Sequence, residues 1–254
     1  MNKVWLVLQK ELRELVPQRV LLFSVSFLPL VIVLMSAGLL ATPIKGAKLP
    51  VATSDPLLAN LTPMQLQQAF IGLQFRMILL FQSLVIPAII ASYSIVGEKN
   101  NRTLEPLLAA PVRTWQLLLA KALAALLPAV AVTWISSLVF TAEIAGLAGP
   151  AVFALVVTPG WLVAVFLTVP VMVMVPIALA VMISSRVNDP RSASQLASLL
   201  FVVLLLGVEL SGSTLVLSVP FSLTLTAILA VVGVLLLWGA TRIFQREVIL
   251  TRWS

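Results

Sequence analysis

The sequence predicts an all-α protein: a polytopic membrane domain of six transmembrane helices, preceded by a helix lying in the membrane interface. Hydrophobic residues make up 61% of the 254 positions and charged residues only 10%, and the mean hydropathy is +1.13. A water-solvated domain has no interior large enough to hide that much apolar surface. Six runs approach the roughly 20 apolar residues that a helix needs to cross about 30 Å of hydrocarbon. The formal charge of +7 comes from basic residues that punctuate these runs and are not gathered on one polar surface, which excludes a nucleic-acid binder and suits charge-directed insertion.

The runs are Val20 to Leu40, Met77 to Val96, Leu117 to Phe140, Trp161 to Ile183, Ala193 to Val208 and Phe221 to Thr241, with Lys121 near the entrance of the third. The fifth is short. Placing both ends in the cytoplasm puts all but Lys45, Lys48 and Arg76 of the 16 basic residues on that side, as the positive-inside rule requires. The run after Arg19 is longer than the apolar stretch of a signal peptide, so no cleavage is expected there.

Residues 1–19 form a separate element. At 100° per residue, Val4, Trp5, Leu8, Leu12, Leu15 and Val16 share one arc, with Lys3, Gln9, Lys10, Arg13 and Glu14 outside it. This predicts an amphipathic helix in the cytoplasmic interface, with Trp5 on its apolar side and Lys10 and Arg13 towards the headgroups, ending near Pro17. Residues 20–254 form the six-helix domain.

The longest outer connection, residues 41–70, carries Pro43, Pro50, Pro56 and Pro63 and is too small for its own core. Thr62 and Pro63 predict a capped helix start running through Gln65, Gln67 and Gln68 into the second span. Connection and stability are its expected role. Prolines 29, 87, 128, 170 and 176 fall inside spans and permit kinks. Residues 209–220 stay apolar although broken at Gly212, and one reading is a re-entrant hairpin before the last span.

The most informative stretch is 97–115, between the second and third spans. Gly97 is expected to end the second span, a short helical piece to follow with Glu98, Lys99, Arg102 and Glu105, Pro111 to turn the chain and Thr114 to cap the third span. Leu104, Leu107 and Leu108 add a small apolar ridge. Glu98-Lys99, then Arg102-Thr103-Leu104-Glu105, then Leu107-Leu108, Pro111-Val112 and Lys121 in the next helix resemble the pattern of the permease subunits of type 2 ATP-binding-cassette exporters. The likeness extends over the whole chain, although Pro106 interrupts the helix expected at that point.

The resemblance implies that 97–115 is the coupling segment, with Glu98, Lys99, Arg102, Thr103, Leu104, Glu105, Leu107, Leu108, Pro111 and Arg113 facing a nucleotide-binding ATPase. The chain has no Gly-x-x-x-x-Gly-Lys-Ser/Thr phosphate loop, so ATP and magnesium belong to that partner and no cofactor to this chain. The resemblance further implies two ATPase copies, a second permease (identical or related), and a prokaryotic inner membrane.

Arg76, Glu143 and Glu209 are read as outer-boundary charges, by pairing or snorkelling or as polar binding positions. No span carries a charged pair at its midpoint, which favours an apolar or amphiphilic substrate. Trp5, Trp115, Trp161, Trp238 and Trp253 are read as interface anchors. Cysteine and histidine are both absent, which removes thiolate and imidazole metal sites and the Ser-His and Cys-His catalytic pairs. A membrane-embedded enzyme would be left with hydroxyl-lysine chemistry alone. A passive scaffold or channel subunit is the alternative to the exporter, because pores need few diagnostic residues.

Overall fold

A computed structural model describes residues 3–15, 17–43, 61–100, 113–184, 189–196, 199 and 218–243. Among these residues every regular element is helical: α1 (Lys3–Leu15), α2 (Arg19–Ala41), α3 (Pro63–Asn100), α4 (Thr114–Leu147), α5 (Gly149–Val156), α6 (Pro159–Val163), a π-helical turn (Ala164–Thr168), α7 (Val169–Met172), α8 (Met174–Ser184) and α9 (Val219–Ile243). Residues 190–196 add a helical piece that Asp189 caps. The Asp189 carboxylate accepts from the Ser192 amide at 3.0 Å and hydroxyl at 2.8 Å, bonds that hold its pKa below the ordinary carboxylate value.

Among the described residues, four helical stretches are long and apolar enough to cross a membrane: Pro63–Glu98, Trp115–Leu147, Pro159–Ser184 and Val219–Ala240, with Val25–Ala41 a shorter apolar helix. Helices α2, α3, α4 and α9, with the segmented stretch from α6 to α8, cover five of the six expected runs. The fifth run lies mostly outside the described residues, as does the hairpin at 209–220 except for its last residues, of which Val219 and Pro220 begin α9.

Thr62 and Pro63 start α3 as expected. Thr62 Oγ1 accepts from the Gln65 amide at 3.3 Å, and Gln65 Oε1 accepts from the Thr62 amide at 3.0 Å, a reciprocal cap that satisfies two otherwise orphan donors. The resulting helix has 38 residues and is about 57 Å long at 1.5 Å per residue. It overshoots a hydrocarbon core of about 30 Å, so residues 63–70 of the expected outer connection belong to α3. Gly97 does not end the span, because α3 continues through Asn100.

The second outer connection is also more ordered than its glycines suggest. Gly146 lies within α4, Gly149 turns the chain with φ at 78°, and Thr158 caps α6 by accepting from the Trp161 amide at 3.2 Å. Three of the five membrane prolines, Pro29, Pro87 and Pro128, sit inside unbroken helices. Among the described residues, segmentation of a span is confined to the fourth, where the π-helical turn precedes Pro170 and α8 restarts before Pro176, the irregularity expected where proline removes a backbone donor.

α3 is the central helix, packing on α2, α4 and α8. An inner core joins Val25, Ile86, Ile90, Ala125, Val173 and Ile177. An outer core joins Ile32, Leu79, Phe140, Ile144, Val156 and Trp161. Outside them, Phe23, Phe27 and Leu34 of α2 and Ile228, Val231, Val234 and Leu235 of α9 are exposed, a surface suited to hydrocarbon and not to water.

Candidate functional site

The N-terminal helix is only partly an interfacial element. Its inward face presents Val4, Leu8 and Leu12 to Ala120, Leu123 and Ala124 of α4, while Trp5 and Leu6 remain exposed. Thus the apolar stripe packs mainly on protein, and Trp5 lies outside the packed face. Between Leu8 and Leu12, on the packed side, sits Glu11.

Glu11 is the side chain that the amphipathic pattern left unassigned, and it organises the inner end of the bundle. Its carboxylate lies 2.8 Å from Lys121 Nζ on α4, with the two side chains 5% and 4% exposed. Lys121 Nζ is also 2.9 Å from Glu98 Oε2 on α3 and donates to Ser94 Oγ at 2.9 Å. Ser94 in turn donates to Glu11 Oε2 at 2.8 Å. Lys10 Nζ closes the ring at 3.4 Å from Glu98 and 3.4 Å from Glu14. Burial lowers the Lys10 pKa, but the surrounding Glu98, Glu11 and Glu14 carboxylates outweigh it, so the ammonium ionises above the usual lysine value.

The ammonium groups of Lys10 and Lys121 therefore balance the carboxylates of Glu11 and Glu98 within one small volume shared by α1, α3 and α4, with the exposed Glu14 carboxylate at its edge. Such a group holds its geometry because losing any partner strands the others away from water. Glu11, Glu14 and Glu98 also lie within reach of one another as potential cation ligands; the two lysines already supply the positive charge there.

Of the coupling residues expected from sequence, Glu98 is buried and turned towards the lysines, where the sequence suggested a charge offered outward. Lys99 completes α3 with Asn100. Arg113 is exposed and is itself the cap of α4, in place of Thr114: its amide donates to Gln116 Oε1 at 3.1 Å. Arg102, Thr103, Leu104, Glu105, Leu107, Leu108 and Pro111 lie outside the described residues. The segment 101–112 thus leaves α3 within three residues of Glu98 and re-enters α4 two turns before Lys121, both ends rooted in the charge cluster.

At the opposite end, α3 caps three neighbours. Gln67 Nε2 donates to the Thr42 carbonyl at 2.8 Å after α2. Gln68 Nε2 donates to Leu40 at 2.9 Å and to Leu147 at 3.0 Å, the last turns of α2 and α4. Arg76 Nη1 donates to the Val156 carbonyl at 3.2 Å, where α5 ends. Each closes orphan carbonyls of a helix C-terminus, and the guanidinium also opposes the helix dipole. Arg76 is fully buried; it is not a snorkelling charge that reaches water. It lies about 33 Å along the axis from Glu98, and Glu143 on α4 accepts from Ser36 of α2.

Glu209 and Trp253 lie outside the described residues. Trp115 and Trp238 are exposed as anchors should be, but Trp161 belongs to the outer core. Trp134 donates its indole N–H to the Val165 carbonyl at 2.9 Å, beside the π-helical turn.

Residues 5–224 match the family described as ABC-2 family transporter protein. No curated protein matches the chain.

Proposed function

The chain belongs to the ABC-2 family of transporter proteins, a multi-pass membrane component, and from that premise we propose that it is the permease of an ATP-driven exporter, moved by a separate ATPase docked on residues 97–115. The observation that carries this reading is the buried triad of Glu11, Glu98 and Lys121, with half-exposed Lys10 beside Glu98, at both roots of that segment. A push on a connection is useful only if its ends are stiff, and this ring binds the end of α3 to the start of α4 and to α1.

ATP closes the two ATPase subunits; the segment between α3 and α4 is displaced; and α1, α3 and α4 move together as one lever. Because Glu98 is consumed inside the lever, registration against the ATPase falls to Arg102, Glu105 and Arg113, with Leu104, Leu107 and Leu108 as the apolar ridge. The fourth span, already divided by its π-helical turn before Pro170 and by the break at Val173 before Pro176, supplies compliance between two packings. The working unit contains two permeases and two ATPases, with both ends of this chain on the cytoplasmic side of a prokaryotic inner membrane, and the cargo is apolar or amphiphilic.

The test is reconstitution with the cognate ATPase in vesicles. Arg102→Ala is expected to abolish docking or to leave ATP hydrolysis running without transport, while insertion is kept. Glu98→Ala is expected to give the second result by loosening the lever. Unchanged assembly and transport in both variants would defeat the assignment.

A further inference from the structure

Gln82 lies in α3 about 24 Å from Glu98 along the helix axis, well inside the hydrocarbon span. It is 1% exposed, and among the described residues neither its amide nitrogen nor its amide oxygen has a hydrogen-bond partner. Ser137 of α4 is 3% exposed, and its hydroxyl is likewise without a partner. That is unusual for a helical hydroxyl in a membrane, which normally donates back to a carbonyl one turn earlier. Its neighbours do so: Thr133 to Ala129 at 2.9 Å, Ser136 to Val132 at 2.8 Å and Thr141 to Ser137 at 2.7 Å.

The two orphan groups face the same seam. Gln82 follows Phe75 and Leu79 at helical spacing, and Ser137 precedes Phe140 and Ile144 at the same spacing; all four hydrophobic residues belong to the outer core. The antiparallel register is set by Glu98 with Lys121 at the inner end and by Gln68 with Leu147 at the outer end. It brings Gln82 level with the turn from Thr133 to Ser137.

A buried amide and a buried hydroxyl, each unpaired and on touching helices at one height, cost free energy in this packing and would recover it if they met. We propose that Gln82 and Ser137 are hydrogen-bond partners in the second packing of the transport cycle, the amide N–H of Gln82 donating to Ser137 Oγ once α3 slides against α4 by no more than about one turn. This inference rests on the exporter reading, which supplies the two packings. In this packing the two groups are unsatisfied, so the pair biases the bundle towards the second packing, which we assign to the ATP-closed state, by roughly tenfold.

The experiment is a double-mutant cycle of Gln82→Leu, Ser137→Ala and both together, in the full complex with its ATPase. Thermal midpoints are read nucleotide-free and after vanadate trapping. Nucleotide-free, Gln82→Leu is expected to hold or raise the midpoint, with additive effects. Trapped, each single variant is expected to lower it and the double variant to lower it no further, while ATP turnover falls about tenfold in both single variants. Gln82→Met serves if the leucine variant does not assemble. Additive effects in both states, or an equal loss in both, would overturn the pair. A wild-type complex that hydrolyses ATP but shows additive effects defeats this inference alone; one that does not hydrolyse ATP defeats the exporter reading with it.

Discussion

Replacing Lys121 with methionine removes one cation from a cluster whose charges otherwise cancel. The ammonium sits 2.8 Å from Glu11 and 2.9 Å from Glu98, with all three side chains under a tenth exposed. After the change Glu98 keeps Lys10 at 3.4 Å, a half-exposed partner, and Glu11 keeps only the Ser94 hydroxyl. Breaking a buried pair by removing one member costs about 3–5 kcal/mol. At about 2–4 °C per kcal/mol for a chain of this size, the thermal midpoint should fall by about 6–20 °C. The assay is unfolding of the purified protein in detergent, followed by tryptophan fluorescence. The control is Glu11→Gln in the same background, which leaves Glu98 and Lys10 as a matched pair and should recover more than half of the loss, because swapping a whole ion pair for neutral groups is close to neutral. A Lys121→Met midpoint within 2 °C of the original, or no recovery in the double variant, would show that the ring is not what holds α1 to α3 and α4.

Further outcomes follow from the outer end. An alanine at Gly72 would place its Cβ 2.6 Å from Val156 Cγ2 and 3.2 Å from Ile144 Cδ1, so Gly72→Ala should destabilise by about 1–3 kcal/mol. Gly38→Ala, which meets nothing within 4 Å, should be neutral or slightly stabilising in the same unfolding assay. Gln68→Leu strands the Leu40 and Leu147 carbonyls together and should cost about 1–3 kcal/mol, read as a lower thermal midpoint. Arg76→Met should release the end of α5, seen as faster hydrogen exchange over residues 149–163 with the inner half of α3 unchanged. Equal exchange in the two forms would show that the cap on Val156 is not what holds α5.

The apolar runs were legible because lipid solvation leaves a plain signature: five of the six expected runs lie within described helices. What escaped was polar residues used inside the protein. The sequence places Gln67 and Gln68 in a helix and Arg76 at a span boundary, but their capping role is not legible because the sequence does not show the neighbouring helix C-termini. The start of α3 at Pro63, by contrast, is legible from Thr62 and Pro63, a cap followed by a first-turn proline. Glu11 breaks an apolar stripe, and that break was the available signal: an acid at helical spacing from Leu8, Leu12 and Leu15 demands a cation on whatever the stripe packs against. Lys121, an isolated lysine just inside the third run, was the complementary half. Prolines marked candidate kinks, but only packing shows that Pro29, Pro87 and Pro128 are absorbed while the fourth span breaks.

The central claim is mechanical input through residues 97–115 from the cytoplasmic side. The chain contains no cysteine, so single cysteines can be introduced at Arg102 and Leu107, with Pro63 as the outer control, and crosslinked to the ATPase in sealed vesicles. The account predicts that positions 102 and 107 crosslink to the ATPase and resist impermeant thiol reagents added from outside the cell, whereas position 63 reacts with those reagents and never crosslinks. Labelling of 102 and 107 from the outside, or an assembled complex in which neither reaches the ATPase, would contradict it.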